Sequence, residues 1–224
     1  APITSSISTR SRVSPAQWRV IHRSLVMVIA ANLGLVLILI VAVTEPWTFD
    51  FSLILPDLLI ALVIAGMVVL RTVGYSRFAA TFKTLDHETL EWNTARIIQG
   101  TSWVRATLGC LTLCNVLLYA RFGGQWPSDS VVPFLILAFL AYCTTAALQF
   151  PAVTYSLITL GHRSPRPILA NSVGNHILAC VLGIVPGSLF FGLGLIVTWL
   201  SYHLLLARFA IAARQFASSE SGPA

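Results

Sequence analysis

Charge is scarce in this chain. Only 10% of its 224 residues are charged, with 14 Lys and Arg against 8 Asp and Glu. A soluble domain carries about 25%. So few charges cannot cover a surface that faces water on all sides, which excludes an ordinary soluble protein. Acid is the scarcer sign, leaving a net charge of +6. That excess is not a nucleic-acid signature, because its cations cluster at the ends of apolar runs, as a membrane protein requires. No nucleic-acid partner is expected. Cysteine is sparse as well: Cys110, Cys114, Cys143 and Cys180 all fall in apolar segments, with no C-x-x-C pair. They read as small packing residues and exclude a disulfide framework or a zinc site. Catalytic motifs are missing too. The chain has no G-x-x-x-x-G-K-[ST], no H-E-x-x-H and no G-x-S-x-G. No catalytic residue is assigned, and an enzyme is not expected. Energy for any active transport must then come from another chain or an ion gradient.

What the chain has in abundance is apolar length. Hydrophobic residues make up 56%, and the mean hydropathy is +0.82. A bilayer span needs about 20 apolar residues. The expected fold class is all-α: a polytopic integral membrane protein with six transmembrane helices. The expected spans are 24–44, 51–70, 103–120, 132–150, 168–186 and 189–208, within a domain covering 14–212. Residues 1–13 and 213–224 read as disordered tails. Ser14-Pro15-Ala16-Gln17 predicts a helix start, with Ser14 as N-cap, Pro15 at the first helical position and Gln17 closing a capping box. The following Trp18–Arg23 stretch is amphipathic and basic, suited to the lipid headgroups. Residues 72–102 read as an amphipathic cytoplasmic segment between spans two and three. Pro151 is expected to kink or end the fourth helix.

The cations set an orientation. With the N-terminus in the cytoplasm and six spans, 13 of the 14 Lys and Arg lie inside, Arg121 being the exception. Both termini are then cytoplasmic. The expected location is a bacterial cytoplasmic membrane. Membrane lipid and other protein subunits are the expected partners, in an oligomeric assembly.

Candidate functional residues come from polar groups inside apolar runs, where burial without a partner is costly. Asn171, Ser172, Asn175 and His176 share one helical face within a run that lacks Asp, Glu, Lys and Arg from Ile168 to Ala207. Asn171, Asn175, His176, Gln149 and Tyr202 are the candidate lining of a substrate pathway; helix–helix hydrogen bonding is the plainer role for the same groups. His176 and His203 sit symmetrically about the Pro186–Gly192 turn, at one depth. They could hold a haem or a pigment, or simply hydrogen-bond within the bundle. No cofactor is required by the sequence. Asp86, His87, Glu88 and Glu91 form a candidate docking surface for a soluble partner. They supply too few ligands for a metal site.

The order of parts resembles the membrane subunits of ABC-2-type transporters. The resemblance rests on the leading SPAQWRVIHR, the six spans, and TFKTLDHETLEWNTARIIQG between spans two and three, where Thr89-Leu90-Glu91 echoes the T-L-E of such coupling segments. It implies a permease-like subunit energised by a separate ATPase chain that docks on 86–99. One departure is that Pro186–Gly192 leaves no room for the re-entrant helices common between the last two spans of that family. A second reading is an accessory subunit of a membrane redox or photosynthetic complex, structural or binding haem, quinone, pigment or lipid.

Overall fold

A computed structural model describes residues 13–44, 54–85, 89–121, 128–164, 173–174, 176–177 and 193–218. These residues form five long helices: α1 (Pro15–Thr44), α2 (Ile54–Lys83), α3 (Thr89–Arg121), α4 (Ser128–Arg163) and α5 (Leu193–Ser218). Val173, Gly174, His176 and Ile177 are helical as well, and no strand occurs among the described residues. The all-α class is therefore observed.

α1 begins as its sequence dictates. The Ser14 N–H donates to Gln17 Oε1 (2.8 Å) and the Gln17 N–H donates to Ser14 Oγ (3.3 Å), a reciprocal capping box that satisfies two helix-end donors. Gln17 Nε2 also donates to Thr84 Oγ1 at the end of α2 (3.2 Å). α1 packs on α2 and α5, α2 packs on α3, and α3 packs on α4. Tyr202 of α5 stacks on Phe150 of α4, with ring centroids 5.5 Å apart, and Tyr75 of α2 bonds Tyr202. These contacts tie the two ends of the chain of helices together.

Burial is strongly polarised along the bundle. The core gathers Trp18, Ile21 and Leu25 of α1, Phe78 and Phe82 of α2, Ile98 of α3, Leu157 and Leu160 of α4, and Leu206 and Phe209 of α5. At that end Trp18 meets Phe216 and Arg163 reaches the α2–α3 turn. Towards the other end the helices present exposed apolar side chains, among them Leu37, Leu62, Leu111, Leu137 and Leu200. Such a belt suits hydrocarbon rather than water. Four stretches are long and apolar enough to cross a membrane: Pro15–Ile38, Leu59–Lys83, Ile136–Arg163 and Ile196–Ser218. The expected third span, 103–120, belongs to α3, which does not qualify among the described residues. Its side chains from 115 onward lie outside the described residues. The expected fifth span, 168–186, falls almost wholly outside the described residues.

Two expectations about continuity change. Residues 72–102 are not a separate interfacial segment: 72–83 continue α2, and 89–102 begin α3. The cause is packing. Tyr75, Phe78, Ala79 and Phe82 recur at helical spacing and are nearly fully buried, so the apolar stripe carries α2 on past the charge-free run. Of the two outcomes expected at Pro151, a kink or an end, the end does not occur: α4 runs from Ser128 to Arg163 through both Pro133 and Pro151.

A basic cavity as the candidate functional site

Midway along the bundle, four helices bring polar side chains to one level. The central group is Arg105 of α3. Its Nη1 donates to Gln149 Oε1 (2.5 Å) and its Nη2 donates to the Tyr142 hydroxyl (2.5 Å), both on α4. The guanidinium also lies 4.2 Å from the Tyr142 ring centroid. Because Gln149 spends its carbonyl on Arg105, its amide is oriented to donate through Nε2 to Ser102 Oγ (2.7 Å). Ser102 donates in turn to the Ile98 carbonyl (2.6 Å). The relay runs one way, from a cation to a backbone oxygen, and locks α3 to α4.

Arg71 of α2 reaches the same tyrosine from the other side, its Nη1 donating to Tyr142 Oη at 3.5 Å. One turn further along α2, Tyr75 shares a 2.9 Å hydrogen bond with Tyr202 of α5. Beside these groups lies a partly open cavity of about 240 Å³ lined by Tyr75, Arg105, Ala146, Gln149, Phe150, Thr198, Trp199 and Tyr202; Arg71 and Tyr142 stand outside its lining. Two buried donors at this level make no hydrogen bond: Arg105 Nε and the Thr198 hydroxyl.

Among the described residues, no acid pairs with Arg71 or Arg105. Asp57 and Asp86 are the acids nearest in sequence to Arg71, 14 and 15 residues away, and Glu91 is 14 from Arg105. Along a helix, 14 residues span about 21 Å. Elsewhere the chain treats a buried arginine differently. Arg163 of α4 meets Glu91 of α3 at 2.8 Å, both side chains being at most 5% exposed, and also donates to the Leu85 carbonyl (3.0 Å).

Gln149 and Tyr202 are therefore brought together, as a pathway lining requires. Asn171 and Asn175 lie outside the described residues. His176 is buried beside Phe150 and Tyr202, its ring against both of theirs and its Nδ1 2.8 Å from Ser201 Oγ. His203 stacks on Trp199 with centroids 4.1 Å apart and touches the other edge of Tyr202. Its Nδ1 lies 2.8 Å from the Trp199 carbonyl. A carbonyl only accepts, so Nδ1 carries the proton. In the neutral ring Nε2 then holds a lone pair, and that atom is buried without a hydrogen-bond partner. Of the expected docking residues, Asp86, His87 and Glu88 lie outside the described residues. Glu91 does not offer a free docking carboxylate: it is buried and spent on Arg163. Among the described residues nearby, Lys83 and Arg96 flank the Trp92 ring at 4.9 and 4.2 Å. No group of three or more His, Cys, Asp or Glu converges among the described residues.

Sequence reasoning missed Arg71, Arg105, Tyr75 and Tyr142. Both arginines border charge-free runs and so read as topology markers or snorkelling side chains. Arg71 is only 7% exposed, turned inward. The available signal was the absence of any nearby acid. Comparison with protein-family models, with curated proteins and with solved structures produced no match.

Proposed function

We propose that this protein is a six-span, permease-like subunit of a membrane transport complex, energised by a separate ATPase chain. The observation that carries this reading is the cavity between Arg105, Gln149, Tyr75 and Tyr202. A cavity that draws a guanidinium, an amide and two tyrosine hydroxyls into an otherwise apolar bundle is costly unless something occupies or passes through it. The distribution of charge supports an orientation for it. Arg19 and Arg23 of α1, Lys83 of α2, Arg96 of α3, Arg163 of α4 and Arg214 of α5 stand towards the end where Trp18 meets Phe216 and Gln17 meets Thr84. By the positive-inside rule that end faces the cytoplasm of a bacterial cell, with both termini. The helix ends that resemble a coupling segment then lie where an ATPase can dock.

Two measurements test this. A C-terminal GFP fusion is expected to fluoresce and a C-terminal alkaline phosphatase fusion to be inactive; the opposite pair would overturn the orientation. Affinity purification from the native membrane should retain an ATPase chain in fixed ratio. A stable complex that contains no ATPase would overturn the transport reading.

His203 favours a second reading, an accessory subunit that binds haem, quinone or pigment. A buried imidazole whose Nδ1–H is held by a carbonyl presents Nε2 as a ligand or hydrogen-bond acceptor. A visible absorption band that disappears in His203→Ala would establish it, and a colourless, quinone-free preparation would end it.

A further inference from the structure

We propose that the cavity is a binding site for an oxyanion, specifically a phosphate group carried without a compensating cation on an apolar body, held by Arg105, with Arg71 adding positive charge from beside the cavity through the shared Tyr142 hydroxyl. The inference rests on reading that cavity as a solute-binding space but does not depend on transport. Three observations converge. The first is charge: two guanidinium groups meet on the single hydroxyl of Tyr142, with no acid closer than 14 residues to either in sequence. Two like charges near one point repel, and in a membrane interior neither is dispersed by water. In the same molecule Arg163 is neutralised by Glu91, whereas among the described residues neither Arg71 nor Arg105 meets an acid.

The second is the balance of donors and acceptors. Arg105 Nε and the Thr198 hydroxyl are buried and unpartnered, and the Tyr75–Tyr202 hydroxyl pair, whose mutual hydrogen bond uses one of its two protons, leaves one more donor at the cavity. The Gln149 carbonyl already accepts from Arg105, and its amide nitrogen is spent on Ser102. What enters must bring acceptor oxygens and negative charge, which is the chemistry of phosphate. The third is shape. Phe150, Trp199 and Ala146 form an apolar wall, and about 240 Å³ admits a headgroup with a short length of chain rather than a whole lipid. The cavity is partly open, so the remainder of an amphiphile can extend outward. Arginine suits this task better than lysine, because its planar fork engages two oxygens at once.

The same phosphate chemistry can come from a lipid headgroup or from a soluble ion, and the experiment separates the two. The full chain, purified in detergent, is titrated with dioleoyl phosphatidic acid, dioleoyl phosphatidylcholine and inorganic phosphate, with binding read by native mass spectrometry and thermal stabilisation. Saturable binding of phosphatidic acid, weakened about tenfold or more in Arg105→Gln and in Arg71→Gln, is expected. Arg105→Lys should fall between wild type and Arg105→Gln. Equal site occupancy by inorganic phosphate, lost in the same variants, supports the site and assigns it to a soluble oxyanion. Should the Gln variants fail to fold, Thr198→Val removes one donor at constant charge and volume and is expected to weaken binding several-fold. The proposal is overturned if neither phosphate compound binds saturably, if phosphatidylcholine binds as well as phosphatidic acid, or if the variants bind like wild type. A preparation that binds phosphate but never associates with an ATPase would remove the transport reading alone. A working transport complex that binds no oxyanion would remove this one alone.

Discussion

Breaking the Glu91–Arg163 pair should destabilise the bundle far more than deleting it whole. The N–O separation is 2.8 Å, and the two side chains are 4% and 5% exposed. At an effective dielectric of about 20, charges that close attract by roughly 6 kcal/mol. Desolvation of both groups offsets most of that, so the intact pair contributes little net stability, whereas stranding one charge costs about 3–5 kcal/mol. Arg163→Met strands the carboxylate and also removes the donor to the Leu85 carbonyl, worth about 1 kcal/mol more. Glu91→Gln strands the guanidinium. Glu91→Gln with Arg163→Met strands neither charge. The double variant should therefore be more stable than the sum of the singles by at least about 2 kcal/mol. Reversible unfolding of the full chain in mixed micelles, run as a double-mutant cycle, measures this coupling. Additivity within about 0.5 kcal/mol would refute the buried-pair argument and return Glu91 to an open surface.

Other tests address the packing, the cap and the lipid face. A methyl group at Gly74 would lie 2.9 Å from the Ser24 carbonyl oxygen and 2.9 Å from Val28 Cγ2, so Gly74→Ala must push α1 from α2 at about 1–3 kcal/mol. Gly34→Ala meets only the flexible Met67 side chain, at 2.9 Å, and should be nearly neutral; thermal melts in detergent compare the two. Ser14→Ala removes the capping oxygen of α1 and should cost about 1 kcal/mol in the same melts. Cys110, Cys114 and Cys143 are exposed within apolar stretches. In a Cys180→Ala background, a charged maleimide should label none of them in intact membranes from either side, and all three once the membrane is dissolved and the chain denatured. Labelling by the charged reagent in intact membranes would show that this face meets water.

Local rules in the sequence accounted for a good deal. The charge deficit and the apolar runs specified the helical class. Ser14 and Gln17 announced their cap because capping is a contact between residues three apart. The element boundaries went further than local rules could follow. α2 continues to Lys83 because Tyr75, Phe78 and Phe82 find partners on other helices, and charge counting alone stops it near Leu70. Gln149 and Tyr202 were recognisable as polar groups in apolar surroundings, but their partners were not.

The sequence by itself determined that the chain is helical and that its helices are apolar enough for a membrane. Each of those follows from composition and from spacings of one helical turn. Only the tertiary structure decided that Arg71 and Arg105 converge on Tyr142, that Tyr75 meets Tyr202 across the bundle, and that Glu91 is committed to Arg163. Those pairs are separated by 37 to 127 residues. No periodicity reports such distances, because the side a helix turns inward is set by the helices packed against it.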